Sequence, residues 1–186
     1  MTVSPFITPV LGFAAPRAND RTQLVKTLLP LLCERGLCVG VLWQTEPQFE
    51  LDKPGRDSFD LRQAGAQQLL VTSSQRWALL VEREFEHEPR LEEHLAHFEH
   101  DTLDLILIAS HAPGRFPRIE LHRPTHDHRL MFGNDASIIA VASDSPLILP
   151  DHIDCLNLND HGELVRYIAY TLLPEYAERY AELFSS

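Results

Sequence analysis

Residues 10–36 read VLGFAAPRANDRTQLVKTLLPLLCERG, in which an apolar strand, a turn and an amphipathic helix follow one another. Leu24, Leu28 and Leu31 recur at helical spacing, and Gly36 is the residue type that often follows the end of a helix. A strand that turns directly into a helix is the repeating unit of α/β proteins with parallel sheets. This stretch therefore predicts an α/β fold, with its first helix at about residues 20–35.

The turn in this stretch matches a phosphate-binding loop in position but not in composition. When the pattern G-x-x-x-x-G-K-[ST] is placed on it, Ala15 and Asp20 replace the glycines, Arg21 replaces the lysine, and Thr22 is retained. Glycines in such a loop let backbone N–H groups surround a phosphate. Asp20 would repel a polyphosphate, and with Gln23 three residues later it predicts a capping box at the helix start. The turn therefore reads as a degenerate Walker A motif.

Strands and helices alternate along the rest of the chain, which predicts a mostly parallel sheet flanked by helices. Further strands are predicted at about residues 37–43, 67–72, 76–82, 103–108, 118–123 and 137–143, and further helices at about 58–65, 89–100 and 163–173. We expect the strand RIELHR at 118–123 to lie at the sheet edge. A chain of 186 residues predicts one domain over residues 1–186, with a C-terminal helical extension at about 174–186.

Charge and cysteine content argue against several classes of function. Sixteen Lys and Arg residues against 27 Asp and Glu give a net charge of −11, so no long-range field favours nucleic acid or an anionic membrane. The three cysteines, Cys33, Cys38 and Cys155, have no C-x-x-C spacing, which indicates reduced thiols. No stretch resembles a signal peptide or a membrane span. We therefore expect a cytoplasmic protein that binds neither nucleic acid nor membrane.

Ten histidines raise the question of a metal site. His94, His97 and His100 recur at every third residue of a predicted helix, but this spacing spreads three imidazoles around the helix surface. We interpret them as a solvated helix face. His122, His126 and His128, with Asp127, lie in and after the strand predicted at 118–123, where we favour a polar loop over a metal or proton-linked role. The sequence therefore predicts no metal site.

Most of the chain, from about residue 10 to about 173, resembles the MobB family, the GTP-binding accessory proteins of molybdopterin guanine dinucleotide synthesis. The strongest match is FELDKPGRDSFDLRQAGAQQLLVTSSQRWALLVE at residues 49–82. Weaker matches follow in the family's order at LDLILI, RIELHR, AVASDSPL and LNLND. The resemblance implies a P-loop NTPase-like fold, GTP and magnesium as the family's ligands, and a possible homodimer.

Three segments that would meet the nucleotide in that family depart from its pattern here. Besides the degenerate loop, residues 43–48 read WQTEPQ where the family has a Lys, a Thr flanked by histidines, and an Asp. Residues 109–112 read ASHA where the family has Glu-Gly-Phe-Lys, with the Glu near magnesium. We therefore expect no catalytic residue, no metal ligand and no bound cofactor. The vestigial nucleotide contacts that the resemblance implies are Arg21, Thr22 and Asp144.

A charged loop retains the family's character and is the predicted site of function. Pro54, Gly55 and Ser58 are explained by a turn and a helix cap without any ligand. The charges beside them are not explained in this way. The predicted residues for binding a partner or pterin are Asp52, Lys53, Arg56, Asp57 and Arg62.

The sequence thus favours a MobB-like adaptor in molybdenum cofactor maturation that lacks NTP hydrolysis. Its expected partner is either a molybdopterin guanylyltransferase-like protein or the molybdopterin cofactor itself. One alternative is an active GTP-binding GTPase with a divergent P-loop, in which Arg21 substitutes for lysine. Another is a protein repurposed for regulatory binding outside this pathway.

Overall fold

A computed structural model of the protein describes residues 8–45, 52–83, 90–110, 115–125 and 129–179. The contacts within the chain define two compact units, residues 1–44 with 91–186 and residues 45–90. The single domain over residues 1–186 stays a prediction.

Eight strands and five α-helices lie in the described part of the chain. In chain order they are β1 (Val10–Ala14), α1 (Ala18–Glu34), β2 (Val39–Trp43), α2 (Asp57–Gln63), β3 (Gln68–Thr72), β4 (Trp77–Val81), α3 (Leu91–Leu95), β5 (Leu105–Ala109), β6 (Arg118–His122), β7 (Ile138–Ser143), β8 (Asp154–Asn157), α4 (His161–Leu172) and α5 (Pro174–Arg179). None of these helices has the length and apolar character that crossing a membrane requires.

Six strands of the larger unit form one sheet in the order β2-β5-β1-β6-β7-β8. Neighbouring strands pair in parallel throughout, which confirms the predicted mostly parallel sheet. The expected edge position of RIELHR is wrong, because β6 lies between β1 and β7. The polar side chains of this inner strand are all buried: Arg118, Glu120 and His122.

Apolar side chains cover both faces of this sheet, as a parallel sheet requires. Leu11 and Phe13 of β1 belong to the core cluster that includes residues of α1 and α4. Val10 and Ile106 belong to a second cluster with Leu91 of α3. Side chains of β1 point alternately to the two faces of the sheet and therefore contribute to both clusters. Every residue of β1 is buried.

Two helices begin or end away from their predicted positions. α1 begins at Ala18, with Arg17 as the N-cap and no side-chain cap. The predicted capping box is wrong, since Asp20 lies within the first helical turn. α3 covers only Leu91–Leu95 of the helix predicted at about 89–100, and a short 3-10 helix follows at His100–Thr102.

The predicted C-terminal extension is described as far as α5, and residues 180–186 lie outside the described residues. The Tyr176 hydroxyl donates a hydrogen bond of 2.9 Å to the Arg35 carbonyl at the end of α1. Gly36 has a φ of +83°, and a Cβ added to it would lie 3.1 Å from that hydroxyl. The extension is therefore attached to the core of the larger unit.

The smaller unit consists of α2 and an antiparallel hairpin. β3 pairs with β4 from Gln68 opposite Val81 to Thr72 opposite Trp77. The two strands predicted in this segment are confirmed. α2 begins at Asp57 rather than at the predicted Ser58, with Arg56 as its N-cap.

Candidate functional site

The degenerate Walker A segment has a different backbone from a phosphate-binding loop. Because α1 begins at Ala18, a helical turn occupies the place where such a loop would surround a phosphate. The Asp20 N–H donates to the Arg17 carbonyl at 3.2 Å. The Thr22 hydroxyl donates to the Ala18 carbonyl at 3.3 Å. The Asp20 N–H and the Thr22 hydroxyl are therefore both bonded to backbone carbonyls at the start of α1.

Arg21 is buried and bonded to the protein's own backbone. Its side chain is buried, with 6% exposure, and one terminal nitrogen donates to the Ala15 carbonyl at 2.5 Å. Its Nε has no hydrogen-bond partner among the described residues. Burial is the main cause that lowers the pKa of Arg21, followed by the nearby charge of Arg118, while Asp20 raises it. The charge of Arg21 is thus enclosed at the end of β1.

The ends of β2 and β5 bond to each other. Ala109 occupies the final position of β5 and is buried. The Gln44 N–H donates to the Ala109 carbonyl at 3.3 Å, and the Ser110 hydroxyl donates to the Gln44 side-chain oxygen. His111 and Ala112 lie outside the described residues. Ala109 offers no carboxylate to a metal, and no group of three metal-ligating side chains occurs in the described part of the chain.

These residues do not fit a bound magnesium–GTP. Asp20 adds negative charge, Arg21 is enclosed, and Ala109 cannot act as a metal ligand. Asp144 lies elsewhere on the carboxyl edge of the sheet, after β7. It accepts a bond of 2.9 Å from Arg123, which follows β6. The structure thus pairs Asp144 with Arg123, while Arg21 is engaged at Ala15.

The predicted charged loop is partly neutralised by its own contacts. Arg62 Nε lies 2.6 Å from Glu82 Oε1, and an Arg62 terminal nitrogen lies 3.7 Å from Asp52 Oδ2. The Arg62 side chain is only 16% exposed. Lys53 and Arg56 are exposed on either side of the Pro-Gly turn. The structure therefore pairs Arg62 of α2 with Glu82, which follows β4, and leaves Lys53 and Arg56 at the surface.

Asp52 and Asp57 have different surroundings in this loop. Asp52 is half-buried, and one of its oxygens accepts the Lys53 N–H at 3.0 Å. Asp57 is exposed in the first turn of α2, where a negative charge is favoured by the helix dipole. Glu82, the main partner of Arg62, was not among the predicted residues. Only the fold reveals this pairing, since 20 residues separate the two in sequence.

An apolar surface on the hairpin was also missed. Leu70, Trp77, Leu79 and Val81 are between 45% and 60% exposed. In the antiparallel register these four side chains lie on the same face of the hairpin. A signal was present in the sequence, because QLLVT and WALLV are consecutive apolar runs that were both predicted as strands.

Charged residues of β6 form a second missed cluster, on the face opposite Ile119 and Leu121. An Arg118 terminal nitrogen lies 2.6 Å from Asp135 Oδ2. The two Glu120 oxygens accept the N–H groups of Met131 at 2.7 Å and Phe132 at 3.0 Å. Burial is the main cause that raises the pKa of Glu120, against those two bonds and the charge of His122. These contacts join β6 to the segment before β7. The strict alternation of polar and apolar residues in RIELHR was the sequence signal for this cluster.

The three histidines predicted to lie on one solvated helix do not share an element, since His94 lies in α3, His97 in the turn after it and His100 in the 3-10 helix. The rings of His94 and His97 are 6.3 Å apart. His100 lies in the following 3-10 helix and is half-buried, with its ring nitrogens 2.9 Å from the Thr8 hydroxyl and 3.0 Å from the Leu95 carbonyl. The solvated face expected for His100 is therefore wrong. His126 and His128 lie outside the described residues.

Comparisons with known proteins match this chain along most of its length. A family model described as MobB, molybdopterin guanine dinucleotide synthesis protein B, matches residues 10–144. A protein of Escherichia coli (strain K12) named molybdopterin-guanine dinucleotide biosynthesis adapter protein is 39% identical over 163 residues, or 86% of this chain and 91% of that protein. A Haemophilus influenzae protein of the same name is 30% identical over 140 residues, or 75% and 76% of the two chains.

Solved structures share the fold at lower identity. A crystal structure described as molybdopterin-guanine biosynthesis protein B superimposes with a TM-score of 0.63 at 20% identity and covers 88% of this chain and 99% of that one. A MobB homologue from Bacillus stearothermophilus gives a TM-score of 0.62 at 20% identity, with 91% and 99% covered. These structures support the P-loop NTPase-like fold. The family model and the 39% identical relative show that the chain belongs to the MobB family.

Proposed function

We propose that this chain is an accessory protein of molybdopterin guanine dinucleotide synthesis that acts as an adaptor and does not hydrolyse nucleotide. The names of the two relatives support the pathway and the adaptor role. The observation that carries the absence of hydrolysis is the enclosed Arg21 in a helical turn that begins at Ala18. The alternative of an active GTPase is disfavoured for the same reason, because Arg21 does not extend toward a phosphate position.

The proposed partner is a molybdopterin guanylyltransferase-like protein or its pterin product. Lys53 and Arg56 are exposed cations in a chain of net charge −11, so they form a local basic surface that an anionic group would recognise. Asp52 and Arg62 fix the loop that presents them, and Asp57 stabilises the start of α2. The adaptor role proposed for this loop does not depend on the degenerate nucleotide site.

We also propose a homodimer and a cytoplasmic location. The hairpin face of Leu70, Trp77, Leu79 and Val81 is an uncharged surface that a second copy could cover by two-fold symmetry. The exposed free thiols Cys33, Cys38 and Cys155 are consistent with a reducing compartment.

Calorimetry with magnesium and GTP tests the absence of nucleotide binding. We expect no binding with a dissociation constant of about 10 μM or tighter, because phosphate would meet Asp20 and no loop of backbone N–H groups. Capture of the guanylyltransferase by the purified chain tests the adaptor role in the same buffer. Tight GTP binding with turnover would support the GTPase alternative, and failure to retain the guanylyltransferase or its product would remove the support for an adaptor.

A further inference from the structure

A loop in the larger unit joins β7 to β8 and reads PLILP at residues 146–150. We call this segment the PLILP loop. Ile148 at its centre is fully exposed, at 102%. The leucines on either side of it are half-buried, so these two neighbours turn inward and the isoleucine turns outward. A run of apolar residues at a surface, unlike a single one, calls for a functional explanation.

Contacts fix both ends of the PLILP loop. Before the loop, Asp144 pairs with Arg123 at 2.9 Å. After it, the N–H of the buried Ile153 donates to the Pro150 carbonyl at 3.0 Å. Two prolines, Pro146 and Pro150, restrict the backbone between these contacts. The central isoleucine is therefore held outward before any partner arrives, which lowers the cost of ordering the loop on binding.

The chain around the PLILP loop is acidic. Between residues 143 and 165 it carries five carboxylates and no Lys or Arg, namely Asp144, Asp151, Asp154, Asp160 and Glu163. Asp151 and Asp154 are exposed. Carboxylates around an apolar side chain repel nucleic acid and anionic lipid, and they attract a surface that carries Lys or Arg. The charge of this region therefore selects a basic protein surface.

A cavity of about 330 Å³ lies beside the PLILP loop. Pro146 and Cys155 line it, together with the carboxylates of Asp144 and Glu163. One oxygen of Glu163 accepts the Asn157 N–H at 3.1 Å, and a carboxylate can accept more than one donor. The lining residues that the structure describes include no cation. The cavity therefore suits a Lys or Arg side chain of a partner.

We propose that the PLILP loop is a docking surface for a protein partner that carries an apolar pocket bordered by Lys or Arg. Ile148 enters that pocket, and a cation from its border enters the acidic cavity beside the loop. A second copy of this chain does not fit this description, because each copy carries −11. This surface belongs to the larger unit, whereas the charged loop of Lys53 and Arg56 belongs to the smaller one. The choice of the guanylyltransferase as the protein to test rests on the proposed function.

The test is the affinity of the full chain for purified guanylyltransferase, measured by surface plasmon resonance. Ile148→Gln should weaken binding at least about tenfold, because it would bury an unpaired amide in an apolar pocket. Ile148→Leu, which keeps an apolar side chain of the same volume, should bind nearly as the parent does. Tyr170→Gln is the matched control, since Tyr170 is 48% exposed on α4 in the same unit, and it should leave the affinity unchanged.

The charged part of the proposal has its own variant. Asp151→Asn should slow association and leave dissociation nearly unchanged, because an exposed charge at the border of an interface acts mainly on encounter. Glu34→Gln removes an exposed carboxylate on α1 and should leave both rates unchanged. Binding by the parent should weaken as salt is added. Affinity that rises with salt would overturn the basic character assigned to the partner.

The outcomes separate this inference from the proposed function. If Ile148→Gln binds the guanylyltransferase as the parent does, this inference fails and the adaptor proposal stands. If the parent does not bind the guanylyltransferase, this inference fails together with a protein partner for the adaptor. Thermal melting of Ile148→Gln should match the parent, since the replaced side chain is fully exposed.

Light scattering, and flotation with vesicles of phosphatidylcholine with and without phosphatidylserine, test the other occupants of the loop. The parent and Ile148→Gln should have the same mass, and neither should float with the vesicles. A lower mass for Ile148→Gln would assign the loop to a second copy of this chain. Vesicle binding that Ile148→Gln abolishes would assign it to a lipid surface, and either result would overturn the proposal.

Discussion

Asp20 and Arg21 underlie the proposed loss of polyphosphate binding at the start of α1, each in a different way. Asp20 places negative charge in the first helical turn, where a phosphate would otherwise be favoured by the helix dipole. Arg21 directs its guanidinium to the Ala15 carbonyl and is buried there. Sequence comparison alone predicts the loss of phosphate chemistry at these two residues. The change of backbone, in which the helix begins at Ala18, required the structure.

Restoring the nucleotide site by substitution is the first prediction. Asp20→Gly with Arg21→Lys should recover some affinity for GTP, because it removes the repelling carboxylate and the enclosed guanidinium. Adding Ala18→Gly should increase this affinity further, since glycine costs about 0.5–1 kcal/mol in a helix and so favours opening of the turn. Neither variant should hydrolyse GTP, because Ala109 offers no metal ligand.

Calorimetry and a phosphate-release assay measure the two parts of this prediction. The control is Ala18→Gly alone, which opens the turn while keeping Asp20 and Arg21. Turnover in the triple variant would show that another carboxylate of this chain holds magnesium. GTP affinity in the control equal to that of the triple variant would show that charge is not the obstacle.

Glu120 predicts a pH dependence of stability. Burial raises its pKa above the ordinary value of 4.5, so the folded state favours the protonated carboxyl. The stability contributed by this group is therefore present below that ordinary value and is lost as the pH rises through the folded-state pKa. Glu120→Gln cannot ionise, so its stability relative to the parent should increase as the pH is raised from about 4 to 8.

Denaturant unfolding of the parent and of Glu120→Gln across this pH range is the measurement. Glu34→Gln, which removes an exposed carboxylate, is the control. A constant difference between Glu120→Gln and the parent at all pH values would contradict the prediction. It would mean that the bonds from Met131 and Phe132 offset the cost of burying the charge.

At the scale of elements, the alternation of strands and helices was sufficient to predict a parallel α/β sheet, since each strand is a short apolar run. It was not sufficient to order the strands. β6 was expected at an edge but lies inside the sheet, where contacts with the segment that precedes β7 satisfy the buried charges of Arg118 and Glu120. The alternation in RIELHR shows that one face of the strand is charged, but it does not show which residues, 11 to 17 positions later, pair with that face. The pairing of Arg62 with Glu82 was unpredictable for the same reason.

The charged loop before α2 gives a prediction that separates binding from stability. Arg56→Ala should weaken molybdoenzyme maturation in cells and leave the melting temperature nearly unchanged, because an exposed charge contributes only about 0–1 kcal/mol. Arg62→Ala should instead lower the stability of the smaller unit by about 1 kcal/mol, because it removes the 2.6 Å pair with the half-exposed Glu82.

Arg76→Ala is the matched control, since Arg76 is an exposed cation in the turn of the hairpin in the same unit. It should leave maturation unchanged. If Arg76→Ala and Arg56→Ala reduce maturation equally, net charge rather than the loop is responsible. If Arg56→Ala matures molybdoenzymes as the parent does, the loop has no role in binding.

At the scale of the whole molecule, the net charge opposes self-association and the apolar hairpin face favours it. Each copy carries −11, so two copies repel at long range, and salt screens this repulsion over a Debye length of about 8 Å at physiological ionic strength. The hairpin face carries no charge, and a two-stranded hairpin is at most marginally stable without further packing. We therefore expect a dimer through this face that becomes tighter as the salt concentration rises.

Light scattering at low and high salt measures this dimer. Leu79→Glu should give monomers, because it places two carboxylates in the paired faces, one from each copy. Tyr170→Glu is the matched control, since Tyr170 is 48% exposed on α4 in the larger unit and receives the same charge. A Leu79→Glu variant that remains dimeric, or a Tyr170→Glu variant that alone becomes monomeric, would move the interface away from the hairpin. Dissociation of the parent with added salt would show that ion pairs rather than apolar contact hold the two copies together.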